Sequence, residues 1–216
     1  MSSHRRKGAR QNRRSKTLSR IPDLGYYIVV TDTKATEKNY LNEFRKSVPE
    51  KLQDKLVISV IKSSTDKMIE KALEVYNKES QHRELWIVFD RDRVENFDKI
   101  ISDAQKLGIK VGWSNPCIEI WFYAYFGEMP KIQTSTKCNT DFEKIFKIKT
   151  GQDYDKADLD NYQKLHQNGD EKKAIEIAEL RYNQECKNHD NPSEMLSTTT
   201  LHRLIGEIIE KTNITT

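Results

Sequence analysis

The sequence predicts an α/β fold, a mainly parallel four-stranded sheet flanked by helices and followed by a helical C-terminal region. Two observations carry this. Between residues 24 and 128, short β-branched and aromatic runs alternate with stretches of helical period, the order that builds parallel sheets with crossover helices. Beyond Pro130 the strand signals stop and only helical patterns follow. Residues 1–23 form a basic arm ahead of this core, and 129–216 are expected to pack on it as helices.

The elements follow in order. Tyr26-Tyr27-Ile28-Val29-Val30 has the length and composition of a buried strand. Residues 36–45 then read as a helix with Tyr40, Leu41 and Phe44 on one face. A second strand is expected over 55–62 and a second helix over 63–78, which carries Met68, Ile69, Ala72, Leu73 and Tyr76. Leu85-Trp86-Ile87-Val88-Phe89 is the most apolar run and the third strand. Residues 97–107 form a third helix that Gly108 ends, and 109–113 a fourth strand that the Ser114-Asn115-Pro116 turn closes. Residues 118–126 are aromatic all round, which predicts a buried helix, with Trp121, Phe122, Tyr123, Tyr125 and Phe126 as core. Four more helices are expected over 141–148, 159–167, 172–187 and 198–211.

The 216 residues are 36% hydrophobic and 32% charged, enough for one well-cored domain under a highly charged surface. No apolar run nears the ~18 residues of a membrane span, and no apolar segment follows the basic N-terminus as a secretory signal requires. Cys117, Cys138 and Cys186 have no zinc-type spacing and read as reduced thiols of a cytoplasmic protein. The net charge of +4 conceals an asymmetry. Residues 1–20 hold eight of the 37 lysines and arginines and no acid, which leaves 29 basic against 33 acidic side chains in the rest. Arg5, Arg6, Lys7, Arg10, Arg13 and Arg14 are therefore candidates for gripping a phosphate backbone, with a merely solubilising tail as the other reading.

In a parallel sheet, ligands bind beyond the carboxyl ends of the strands. Asp32 follows the first strand, and Asp90 and Asp92 close the third as Asp-Arg-Asp. Residues i and i+2 of an extended segment face the same way, so Asp90 and Asp92 are expected to share a point with Asp32. Converging carboxylates repel, and a hard cation such as Mg²⁺ or Mn²⁺ relieves that. Turn-forming and helix-capping aspartates, or a receiver-like phosphoacceptor pocket, remain alternatives on spacing alone. Glu119, among Cys117, Ile118, Ile120 and Trp121, is a further candidate, as a ligand, an orienting group or a helix-capping carboxylate. None of the five histidines enters a catalytic pattern.

The element order resembles the Toprim fold of topoisomerases, primases and OLD-type nucleases. More specifically, five ordered motifs resemble those of RloB-like proteins. The first stands as Val30-Thr31-Asp32-Thr33-Lys34-Ala35-Thr36-Glu37-Lys38-Asn39-Tyr40, against a family pattern V-x-E-G-x-x-T-E-x-x-Y. The second is Val88-Phe89-Asp90-Arg91-Asp92. The third, Ser114-Asn115-Pro116-Cys117-Ile118-Glu119-Ile120-Trp121, resembles S-N-P-C-F-E-x-W. Tyr154-Asp155-Lys156 follows, and Asn191-Pro192 with Thr200-Leu201 completes the set.

The resemblance implies a Mg²⁺- or Mn²⁺-dependent nuclease with Asp32, Asp90 and Asp92 on the metal and Glu119 beside them. Lys156 and the arm would touch nucleic acid, either DNA or RNA, tRNA included. It also implies an anti-phage defence role beside an AAA-type ATPase encoded nearby. Asp32-Thr33 departs from the expected Glu-Gly: aspartate reaches less far, and a β-branched residue does not readily take the φ > 0 that glycine permits. Either Asp32 works with a shifted metal, or Glu37 contributes instead, or the chain is a catalytically weak or inactive binding subunit of such a complex.

Overall fold

Strand β1 (Gly25–Thr31) is buried on both faces, with Tyr27, Ile28, Val29 and Val30 all at 0% exposure, as a central strand of a parallel sheet requires. The computed structural model describes residues 25–32, 35–53, 56–77, 84–92 and 94–213. The basic arm, with Arg5, Arg6, Lys7, Arg10, Arg13 and Arg14, lies outside the described residues, as does Thr33.

After β1 come α1 (Ala35–Ser47), the single turn α2 (Glu50–Gln53), β2 (Leu56–Lys62), α3 (Met68–Asn77), β3 (Glu84–Asp90), α4 (Phe97–Lys106) and β4 (Lys110–Asn115). The aromatic helix is α5 (Glu119–Tyr125). Then follow α6 (Ser135–Thr150), α7 (Asn161–Asn168), α8 (Glu171–Glu185), β5 (Thr198–Thr199) and α9 (Leu201–Asn213). The first four strands are parallel, and the sheet order is β2-β1-β3-β4-β5. None of the helices among the described residues is long and apolar enough to cross a membrane.

Three expectations are corrected. The sheet has five strands, because Thr199 and Thr198 pair antiparallel with Ser114 and Asn115. A two-residue strand has no alternation to read, and hydroxyls secure it to β4: Thr199 Oγ1 donates to Trp113 O at 3.0 Å, and just past the strand Thr200 Oγ1 accepts from Trp113 N at 3.0 Å and donates to Val111 O at 2.9 Å. For the same reason β4 runs on through Ser114 and Asn115, where a turn was expected. The 198–211 helix accordingly begins only at Leu201.

Strand alternation sorts the core in two. Tyr27, Val29, Trp86 and Val88 face α1, α5 and α9; Ile28, Val30, Leu85, Ile87 and Phe89 face α3 and α4. Gly112 of β4 lets α9 approach: a Cβ there would sit 3.2 Å from Val88 Cγ2 and 3.5 Å from Leu201 Cα. The larger cluster runs from Tyr27 to Ile208, so residues on both sides of position 128 share it.

Candidate functional site

The strand order reverses between β1 and β3, whose neighbouring carboxyl ends open the crevice where ligands bind in such sheets. Asp32 and Asp90 flank that point. Asp32 N donates to Val88 O at 3.3 Å, which extends the β1–β3 ladder by one residue. The extension places Asp32 in step with Ile28 and Val30. It lines a cleft of about 610 Å³ with Asp66, Ile69, Asn96 and Lys99, on the α3–α4 face.

Asp90 is in step with Trp86 and Val88, 5% exposed, and therefore on the opposite face, toward α5. Asp92 does not join it. The extended backbone ends at Asp90, and Asp92 takes a positive φ of 26°, so the i, i+2 rule no longer applies. Backbone bonds hold the departing chain to the end of β4, Arg91 N to Ser114 O at 2.8 Å and Asp92 N to Pro116 O at 3.1 Å, across a cis Asn115–Pro116 bond. Asp92 is exposed and accepts from Ser135 Oγ at 2.9 Å, at the start of α6.

On the α5 face the structure assembles a different group. Glu119 opens α5 with 0% exposure and does not cap it: Oε1 accepts from Tyr154 Oη at 3.0 Å and from Lys156 Nζ at 3.0 Å. Glu119 Oε2 is buried with no hydrogen-bond partner among the described residues. Tyr154 is anchored by its ring, which lies 4.9 Å from Phe142 and 5.3 Å from Phe146. In the open segment between α6 and α7, that anchor brings Lys156 to the same carboxylate oxygen.

The electrostatics agree with this geometry. Burial pulls the Lys156 ammonium toward losing its proton, but the charge and hydrogen bond of Glu119, with Cys117 and Asp90 beyond, carry its pKa above the ordinary value. Burial first, then Glu119, Cys117 and Glu37, hold Tyr154 firmly protonated. The hydrogen bond to Cys138, burial, and the charges of Glu119 and Asp90 raise Cys117 well above the ordinary thiol range, so it is a neutral group. Glu37 on α1 is 1% exposed, in line with Tyr40, Leu41 and Phe44. Its signal in the sequence is that position: a carboxylate continuing a buried apolar stripe at i, i+3, i+4 and i+7.

Asp90, Glu119 and Glu37 thus share a sheet face with Lys156, while Asp32 lies behind the sheet. Among the described residues no three His, Cys, Asp or Glu side chains close on one point as a metal cage. The donor set is nevertheless of the kind a hard cation takes, all oxygen, with Cys117 neutral and Glu119 Oε2 unbonded among the described residues. Mg²⁺ keeps several waters and uses only one or two carboxylates, so Asp90 and Glu119 fit it without a third.

The motifs far apart in sequence meet here. Asn115 Nδ2 donates to Pro192 O at 3.2 Å and to Ser193 O at 3.1 Å, and Ser114 Oγ lies 3.0 Å from Thr199 Oγ1. A family model described as RloB-like protein matches residues 27–208, a span that contains all of these groups. No curated protein and no solved structure matches the chain.

Proposed function

The chain belongs to the RloB-like family, and from that premise we propose that it is the nuclease subunit of a prokaryotic anti-phage defence system. It cuts nucleic-acid phosphodiester bonds with Mg²⁺ or Mn²⁺ at a Toprim-type sheet edge and works beside an AAA-type ATPase. The observation that carries this reading is Glu119 Oε2, a buried carboxylate oxygen with no donor among the described residues, on the same face and edge as Asp90. Leaving such an atom unbonded costs ~1–3 kcal/mol, and more when charged; a hard cation is the partner that would relieve it.

Asp90 and Glu119 would hold the ion, with Glu37 behind them and Asp92 at the rim. When bound, the ion polarises the phosphate and lowers the pKa of its water. The chain's own residues do the rest. Tyr154 fixes the direction of the Glu119 carboxylate. Lys156, 47% exposed, presents a persistent positive charge where a phosphate oxygen would arrive. Arg5, Arg6, Lys7, Arg10, Arg13 and Arg14 add the sequence-independent attraction that draws a polyanion in.

A second reading, a catalytically inactive nucleic-acid-binding subunit of the same complex, is favoured by one observation: Asp32, at the position of the family's first motif acid, stands on the opposite face from Asp90. A cleavage assay separates the two. The chain is incubated with Mg²⁺ or Mn²⁺, labelled DNA and RNA, and the neighbouring ATPase, alongside Glu119→Gln. Products from the wild type and none from the variant are expected. Absence of products under every combination would leave the binding subunit as the better account.

A further inference from the structure

On the side of the molecule away from the acidic edge, the start of α8 and the second half of α9 enclose a groove of about 670 Å³. Its floor is apolar, formed by Ile175, Gly206 and Ile209, and its walls carry Glu171, Glu176 and Glu210. Glu171 is already held by Tyr125 Oη at 2.7 Å. Glu176 and Glu210 are exposed and make no ion pair among the described residues, unlike Glu179, Glu185 and Glu207 on the same two helices. Among the described residues, Lys172 is the only lysine lining the groove. An apolar floor under two uncompensated carboxylates fits a basic segment with apolar side chains spaced along it.

The chain carries such a segment immediately ahead of β1 in the sequence. Residues 13–24 contain Arg13, Arg14, Lys16 and Arg20, interleaved with Leu18, Ile21 and Leu24. Their attachment point is fixed: β1 starts at Gly25, where a Cβ would lie 3.6 Å from Lys211 Nζ, and Tyr27 Oη donates to Glu207 Oε1 at 2.6 Å. Both partners belong to α9, one helical turn or less from Gly206, Ile209 and Glu210. Even a few extended residues, at ~3.5 Å each, cover that separation.

We propose that this groove docks residues 13–24 of the same chain, with Leu18 and Ile21 on the Ile175–Ile209 floor and the basic side chains against Glu176 and Glu210. Docking uses the charges that would otherwise meet phosphate, so the arm is held in until a polyanion competes for it. The docking does not depend on the nuclease reading.

Zero-length carbodiimide coupling of the full chain, with ¹⁴N and ¹⁵N protein mixed, tests this directly. The expected product joins Lys16 to Glu176 or Glu210 within one isotopic species. It should weaken several-fold between low salt and ~0.5 M salt, where the screening length is only a few ångströms. It should also be lost in Leu18→Asp/Ile21→Asp, two positions outside the described residues. No coupling of Lys16 to these carboxylates beyond its coupling to Glu70 or Glu95 on the other face overturns the proposal. So does a product unaffected by Leu18→Asp/Ile21→Asp, or one found only in mixed isotopic pairs, which would make a second copy the occupant.

Discussion

Lys156 Nζ lies 3.0 Å from Glu119 Oε1, a pairing of a half-exposed ammonium with a carboxylate that has no exposure of its own. The two residues come from different layers of the molecule, an open segment and the first residue of α5, and Tyr154 is the hinge that joins them. The pair engages one oxygen of Glu119, and the other has no hydrogen-bond partner among the described residues.

Removing the cation should cost more than removing the anion. Lys156→Met leaves a buried carboxylate with only the Tyr154 bond, at ~1–2 kcal/mol once the half-exposure of the lysine is allowed for. Glu119→Gln keeps an acceptor for Tyr154 and removes the buried charge, so urea melts should place it above Lys156→Met. The reverse order would mean that the pair is solvated and contributes little.

The faces of the sheet separate the aspartates. Asp90→Asn and Glu37→Gln should each reduce metal-dependent cleavage by at least ~100-fold. Asp32→Ala, behind the sheet, should retain most of it, as should Asp32→Glu. Loss of cleavage in Asp32→Ala together with retention in Glu37→Gln would show that the α3–α4 cleft, not the α5 face, is the catalytic one.

Acid stability should depend on Glu179. Burial opposes its ionisation, but Arg203 and the hydrogen bond from His202 outweigh this and bring its pKa from 4.5 down to about 2. A depressed carboxylate contributes stability that is complete above its unfolded value and lost as pH falls through the folded one. The wild-type melting temperature should therefore fall between 4.5 and about 2 more steeply than that of Glu179→Gln. Parallel curves would remove Glu179 from the acid transition.

Gly169, between α7 and α8, leaves no room for a side chain: a Cβ would lie 2.6 Å from Tyr125 O and 2.9 Å from Leu165 O. Both obstacles are backbone, so Gly169→Ala should destabilise by ~1–3 kcal/mol in urea titration. An unchanged midpoint would show that the junction between the two helices yields freely.

The strands β1 to β4 and the helices between them were legible in the sequence because each rests on a local pattern. Ile28, Val30, Ile87 and Phe89 alternate with Tyr27, Val29, Trp86 and Val88, and Phe97, Ile101 and Ala104 recur at helical spacing. The candidate carboxylates were legible for the same reason, since Asp32 and Asp90 come directly at strand ends, and the ordered motifs carried the family.

What only the tertiary structure decided is which of these groups meet. Alternation fixes a residue's face relative to its own strand; the register between β1 and β3 then sets Asp32 and Asp90 apart, and that register is a property of the pair. The turn at Asp92 has no repeating backbone, so no period could foretell its direction. Thr198 and Thr199 become a strand only because β4 offers them an edge. Tyr154 and Lys156 reach Glu119 across 35 and 37 positions because Phe142 and Phe146 pack the tyrosine ring in place. Such contacts arise from the packing of distant segments, which short-range pattern cannot encode.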